Sequence, residues 1–187
     1  AHLSNISGIP LPDLPPYRVR GNLNDRDKSW EITNFSGTIG DSDLKGKISI
    51  DLAGKQPFIK ADLLSKKIDL DDFGPMLGLA PDTGPGETAS PAQKREARKQ
   101  AANKNALPDK PIDFKKLENL YVDIKFTSSA IQTDLPIDSL KTHLIIQNGH
   151  LTLSPLDFGV AHGRILSHVN IDASAQPVQT KIETEIH

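Results

Sequence analysis

The side chains here that could do chemistry are carboxylates and imidazoles. Acids cluster at Asp41/Asp43, at Asp69/Asp71/Asp72 and at Asp123. General acid–base catalysis needs two carboxylates converging on one pocket. Asp69, Asp71 and Asp72 open the run DLDDFGPML, where they suit capping and the dipole of a short helical turn. Asp41 and Asp43 sit in Gly-Asp-Ser-Asp, a turn sequence whose side chains routinely bond nearby backbone. Turn chemistry accounts for both sets, so no catalytic residue is assigned. His143, His150, His162 and His168 would need three or four ligands converging at about 2.0–2.1 Å to hold zinc. No HxH or HxxxH spacing is present, and they read as separate surface histidines. Neither a glycine-rich phosphate loop nor GxSxG occurs. The absence of cysteine excludes thiolate chemistry and disulfides. The expectation is a non-enzyme with no cofactor and no metal.

Charge narrows the partners. A formal net charge of −2 argues against a nucleic-acid binder, which normally carries a basic excess. One basic run stands out: Lys94, Arg95, Arg98, Lys99 and Lys104 against Glu96. Near an anionic membrane each such residue contributes about 1 kcal/mol. The segment lacks the large apolar residues that insert into an interface, so it reads as a solvated helix. No apolar run approaches the ~20 residues needed to span a bilayer, and no signal-peptide pattern is present.

The elements that must position these residues are strands. Residues 35–63 and 156–183 repeat one strand–turn–strand pattern. An offset of 121 pairs Ile39 with Val160, Leu44 with Ile165, Ile48 with Val169, Ile50 with Ile171 and Asp51 with Asp172. A one-residue deletion then pairs Pro57 with Pro177. Matches on alternate residues mark strands with one apolar face. Simple alternation along the strand from Trp30 puts Trp30, Ile32 and Asn34 on one side and Glu31, Thr33 and Phe35 on the other. Asn148-Gly149 predicts a type I′ hairpin whose apolar face carries Leu144, Ile146, Leu151 and Leu153. The Pro-rich 8–17 reads as an extended covering segment. Ser90-Pro91-Ala92-Gln93 is a capping box with proline at the first helical position, opening a helix that stops near Asn105 and Pro108. Its surroundings, about 79–110, form a flexible insertion into a single domain spanning 1–187. The predicted class is mainly β: a curved antiparallel sheet forming a groove or roll, with internal duplication and one inserted solvent-exposed helix.

Several segments carry a family resemblance. They are Leu11-Pro12-Asp13-Leu14-Pro15-Pro16-Tyr17, the run WEITNFSGTIGDSDLKG from Trp30 to Gly46, Ala61-Asp62-Leu63-Leu64-Ser65 and Leu70-Asp71-Asp72-Phe73. Near the C-terminus GHLTLSPLDF from Gly149 to Phe158 and Gly163-Arg164-Ile165 join them. Together they resemble the AsmA family of bacterial envelope proteins. The resemblance implies a periplasmic protein held in the inner membrane by an N-terminal helix, with a role in outer-membrane biogenesis. It also implies a bridge-like lipid carrier whose strands form an apolar-lined groove. The anchor helix has no counterpart in this chain, so a soluble periplasmic piece is expected.

Two functions are compatible with these features. In one, the sheet shelters phospholipid tails during transport, with Leu44, Ile48, Ile50, Ile165, Val169 and Ile171 as candidate lining. In the other, it is a non-catalytic envelope scaffold with a closed core, docking other envelope proteins and holding no lipid.

Overall fold

A computed structural model describes residues 15–69, 71–72, 83–102, 120–132, 137–160 and 162–187. The readings for 8–14, for 73–82 and for the helix end near Asn105 lie outside them. Among the described residues there are eleven strands and one α-helix: β1 (Tyr17–Arg26), β2 (Ser29–Ile39), β3 (Ser42–Asp51), β4 (Phe58–Ser65), β5 (Ile68–Asp69), α1 (Pro91–Ala102), β6 (Tyr121–Ser128), β7 (Ile131–Gln132), β8 (Ile137–Gln147), β9 (His150–Val160), β10 (Gly163–Asp172) and β11 (Gln179–Ile186). Nine strands form one open sheet in the order β1-β2-β3-β4-β6-β8-β9-β10-β11, while β5 and β7 pair separately. The fold is mainly β, as the alternation predicts. All pairs in the large sheet are antiparallel except β4–β6. A parallel neighbour requires a long crossover, and the helix-bearing insertion supplies it.

The duplication is larger than the sequence match. An offset of 121 carries β2 onto β9, β3 onto β10 and β4 onto β11 at both ends of each strand. The same offset carries the end of β1, Arg26, onto the end of β8, Gln147. Each copy is thus a four-strand meander, and β6 stands between the two. The irregularities repeat as well. The β2–β3 ladder shifts between Ile32 and Phe35, and the β9–β10 ladder shifts at the equivalent Leu153 and Leu156. Leu52 N donates to Lys28 O at 2.8 Å, and its counterpart Ala173 N donates to Gly149 O at 2.9 Å. Asp51 and Asp172 each accept from the backbone N–H two residues on, that of Ala53 at 2.8 Å and that of Ser174 at 2.9 Å. Opposite residues 51/58 and 172/179 show that the intervening turn has one length in both copies. The offset stays at 121, so Pro57 corresponds to Val178, and the one-residue deletion expected from Pro177 is not there.

The shared bulge also corrects one face assignment. Asn34 adopts φ +50°, the left-handed region that Asn tolerates better than most residues. The extra residue rotates Phe35 onto the side of Trp30 and Ile32, where it is buried. The hairpin follows its prediction: Asn148 and Gly149 have φ of +51° and +78°, and Ile146 faces Leu151 while Leu144 faces Leu153.

At one end of the sheet the β2–β3 turn is tied down by carboxylates. Asp72 Oδ2 accepts from Asp41 N at 3.0 Å, Ser42 N at 2.9 Å and Ser42 Oγ at 2.6 Å. Burial pushes the Asp72 carboxyl above its ordinary range; the Ser42 and Asp41 hydrogen bonds oppose this and the nearby Asp69 charge adds to it. Asp43 Oδ1 accepts from Ser65 Oγ, Lys66 N and Lys67 N at 2.8–3.0 Å, closing the loop after β4. Gly40 allows this closeness: φ is +58°, and a Cβ there would overlap the Asp72 carboxylate. The turn acids do bond backbone, but Asp41 and Asp43 bond segments distant in sequence, at Thr88 and at 65–67, and not the nearby backbone of their own turn. Asp69 ends β5, and its Oδ1 accepts from Asp71 N at 3.1 Å, a capping contact.

The capping box of α1 is formed in both directions: Gln93 N donates to Ser90 Oγ at 3.1 Å, and Ser90 N to Gln93 Oε1 at 2.9 Å. Lys94, Arg95 and Arg98 are exposed, as a solvated helix requires. The start of the helix is not free of the sheet, however. Gln93 is buried, and Thr88 donates from N and Oγ1 to the Asp41 carboxylate at 2.9 and 2.8 Å.

Candidate functional site

Following opposite residues from ladder to ladder gives the two faces of the sheet. From Leu44, Ile48 and Ile50 on β3, one face passes to Ile59, Ala61 and Leu63 on β4, then to Val122, Ile124 and Phe126 on β6. It continues through Leu144 and Ile146, Leu151 and Leu153, and Val169 and Ile171, to Ile182 on β11. In the other direction it takes in Trp30, Ile32 and Phe35 on β2 and Val19 and Leu23 on β1. The six residues Leu44, Ile48, Ile50, Ile165, Val169 and Ile171 all lie on this one face. The face is aliphatic and aromatic across all nine strands, with Ser167, Thr142 and Thr184 among its few polar positions.

The opposite face is polar and cross-linked by pairs between neighbouring strands. Lys47 meets Glu31, His143 Nε2 lies 2.8 Å from Asp123, and Arg164 Nε donates to Asp157 at 2.7 Å. Ser154 and His168 are joined at 2.7 Å, and Thr152 donates to Asn170 at 3.1 Å. His143, His150 and His168 lie along this face in separate pairs, His162 is in the β9–β10 turn, and among the described residues no group of three histidines converges. Asp123, named in the sequence as a lone acid, is the partner of His143.

Burial of the apolar face is graded. Phe35, Leu44, Ala61, Val122, Leu140 and Ile146, toward the middle, are buried; Leu44 is 5% exposed. Toward the edge strands the same face opens, and Ile182 is 62% exposed. Among the described residues the substantial contacts between elements join ladder neighbours or involve β5 and β7. Ordinary folded proteins rarely leave contiguous apolar patches larger than a few hundred Å². Nine strands at ~4.8 Å spacing extend about 38 Å across the ladders. This surface suits contact with long apolar material along that axis.

The translational duplication explains the continuity. The two meanders run in the same direction, because β4 and β6 are parallel and all other steps reverse. A unit repeated without inversion keeps its aliphatics on the same side. It also leaves both edges, β1 and β11, with a free ladder side among the described residues.

Comparison with known proteins agrees with this architecture. The model of the AsmA family matches residues 12–187. The chain is 30% identical over 190 residues to the AsmA family protein YhjG of Escherichia coli (strain K12), an alignment covering 98% of this chain. The chain spans 28% of that relative's length. No solved structure matches.

Proposed function

The chain belongs to the AsmA family of bacterial envelope proteins, and from that premise we propose that it is a lipid-handling segment of a larger periplasmic protein. In this reading the apolar face of the sheet shelters phospholipid tails while headgroups stay in water at its rim. The observation that carries it is the mainly apolar face over nine strands, open toward both edges among the described residues. Each methylene moved from water onto such a surface is worth about 0.8 kcal/mol, so acyl chains are held without any polar anchor. Passage along the sheet breaks and remakes equivalent contacts and needs no reacting residue. The protein therefore acts as a non-catalytic carrier in outer-membrane biogenesis. Attachment to the inner membrane and docking to other envelope proteins fall to segments beyond this sheet.

Among the described residues no helix is long and apolar enough to cross a membrane. The test is mass spectrometry of organic extracts from the purified chain. Stoichiometric phospholipid, reduced by Ile171→Asp but not by Asn170→Asp, is the expected result. A lipid-free chain whose apolar face is instead protected by a bound envelope protein would support a scaffold and overturn the carrier.

A further inference from the structure

Three carboxylates from separate parts of the chain meet at the end of the sheet that bears the β2–β3 turn. Asp41 comes from that turn, Asp69 from the end of β5, and Glu87 from the segment leading into α1. One oxygen from each lies within 4.8 Å of the other two. Oxygens on a single Ca²⁺ sit about 2.3–2.6 Å from the ion, so two of them can be no more than about 5 Å apart. The trio falls inside that limit.

The second observation is Asp69 itself. Its side chain is 1% exposed, and while Oδ1 accepts from Asp71 N, Oδ2 is buried and accepts no hydrogen bond. A buried carboxylate oxygen without a donor is costly, and its surroundings add further negative charge. Asp72 lies against the same turn, bonded to Asp41 N and Ser42. Among the described residues no lysine or arginine pairs with Asp41 or Asp69. Asp41 accepts two hydrogen bonds from Thr88, one on each oxygen, and each oxygen keeps a lone pair. The donor set is all oxygen and anionic, which suits a hard cation and not a thiophilic or imidazole-seeking one.

We propose that Asp41, Asp69 and Glu87 form a binding site for a divalent cation of the calcium class. The ion would supply the charge that Asp69 Oδ2 lacks. It would also bind the helix-bearing insertion to the sheet, since its ligands come from both. This site stands on the polar end of the fold and is independent of what covers the apolar face.

The test is calorimetric titration of the metal-free 187-residue chain with CaCl₂, with thermal unfolding followed in parallel. One ion should bind per chain, and saturation at ~100 times the dissociation constant should raise Tm by about 5 °C or more. Ca²⁺ should bind at least tenfold more tightly than Mg²⁺, whose shorter ~2.1 Å bonds demand near-ideal octahedral geometry. Glu87→Gln should weaken Ca²⁺ binding at least tenfold, because it removes one of the three anionic ligands. Asp69→Asn should abolish the calcium response. Asp62→Asn, on the exposed polar face of β4, should leave it intact. No saturable heat at millimolar Ca²⁺, or undiminished binding by Glu87→Gln, would overturn the site; equal affinity for Mg²⁺ would overturn the calcium assignment.

Discussion

Placing a carboxylate at Ile171 should separate lipid binding from folding. Ile171 lies on β10 with Leu151 and Thr180 as its ladder neighbours on the apolar face, and it is half-exposed in the lipid-free sheet. Ile171→Asp therefore removes little packed core, and its carboxylate stays hydrated until lipid arrives. Bound lipid takes that water away. A charged group denies apolar contact over about one strand spacing, ~4.8 Å, on the order of four methylenes of an acyl chain. At about 0.8 kcal/mol each this is ~3 kcal/mol, close to a 100-fold loss in affinity. The neighbouring Asn170→Asp adds the same charge on the polar face, where Thr152 Oγ1 can still donate to it. Titration of each variant with a fluorescent-tailed phospholipid, with far-UV circular dichroism to verify the sheet, gives the comparison. Ile171→Asp should bind about 100-fold more weakly than wild type, and Asn170→Asp within about threefold. Equal losses in both would refute the face assignment. No loss in a folded Ile171→Asp would refute the role of the apolar face.

Four further outcomes follow from the fold. Gly149→Val should destabilise the chain by about 1–2 kcal/mol in urea unfolding, because a β-branched residue must then hold φ near +78° in the β8–β9 turn. Asp43→Ala should cost about 2–4 kcal/mol, since three donors at 2.8–3.0 Å lose one charged acceptor; unchanged stability would show that water replaces it. The hydrogen bond from Arg164, followed by its charge and that of Lys141, holds the Asp157 carboxyl below its ordinary value against the effect of burial. A depressed folded value gives stability that is fully present above the unfolded value of about 3.9 and lost as pH falls through the folded one. The stability gap between wild type and Arg164→Met should therefore close on acidification, and a constant gap would contradict this. Replacing residues 79–110 by a Gly/Ser bridge should preserve cooperative unfolding of the sheet while abolishing the calcium response, and loss of cooperativity would make the insertion part of the core.

Alternation carried most of the fold. Leu44 to Leu52 and the Asn148-Gly149 hairpin have one apolar face and an unambiguous turn, so pattern and register coincide. Three things escaped it. Strand β1 has the alternation Tyr17, Val19, Leu23, but the prolines just before it suggested a covering segment. The offset of 121 pairs β1 with β8, so extending the repeat backward would have found it. Phe35 was displaced by a bulge, which shifts periodicity by one residue and leaves no mark in composition. The parallel β4–β6 pair also had no local signature, because strand direction is set by the crossover. At the acidic end, Asp41 and Asp69 were visible as turn acids. Their meeting with Glu87 depends on how the insertion returns to the sheet, and residue spacing does not encode that.

The central claim is that the apolar face meets lipid tails. The most direct measurement places photocrosslinking amino acids singly at Ile50, Ile171, Ser49 and Asn170 of the full-length protein in cells, with lipid adducts scored after irradiation. Ladder register puts the first two on the apolar face and the last two on the polar one. Phospholipid adducts at Ile50 and Ile171, with few at Ser49 and Asn170, are the predicted result. Adducts at Ser49 and Asn170 with none at Ile50 and Ile171 would contradict it.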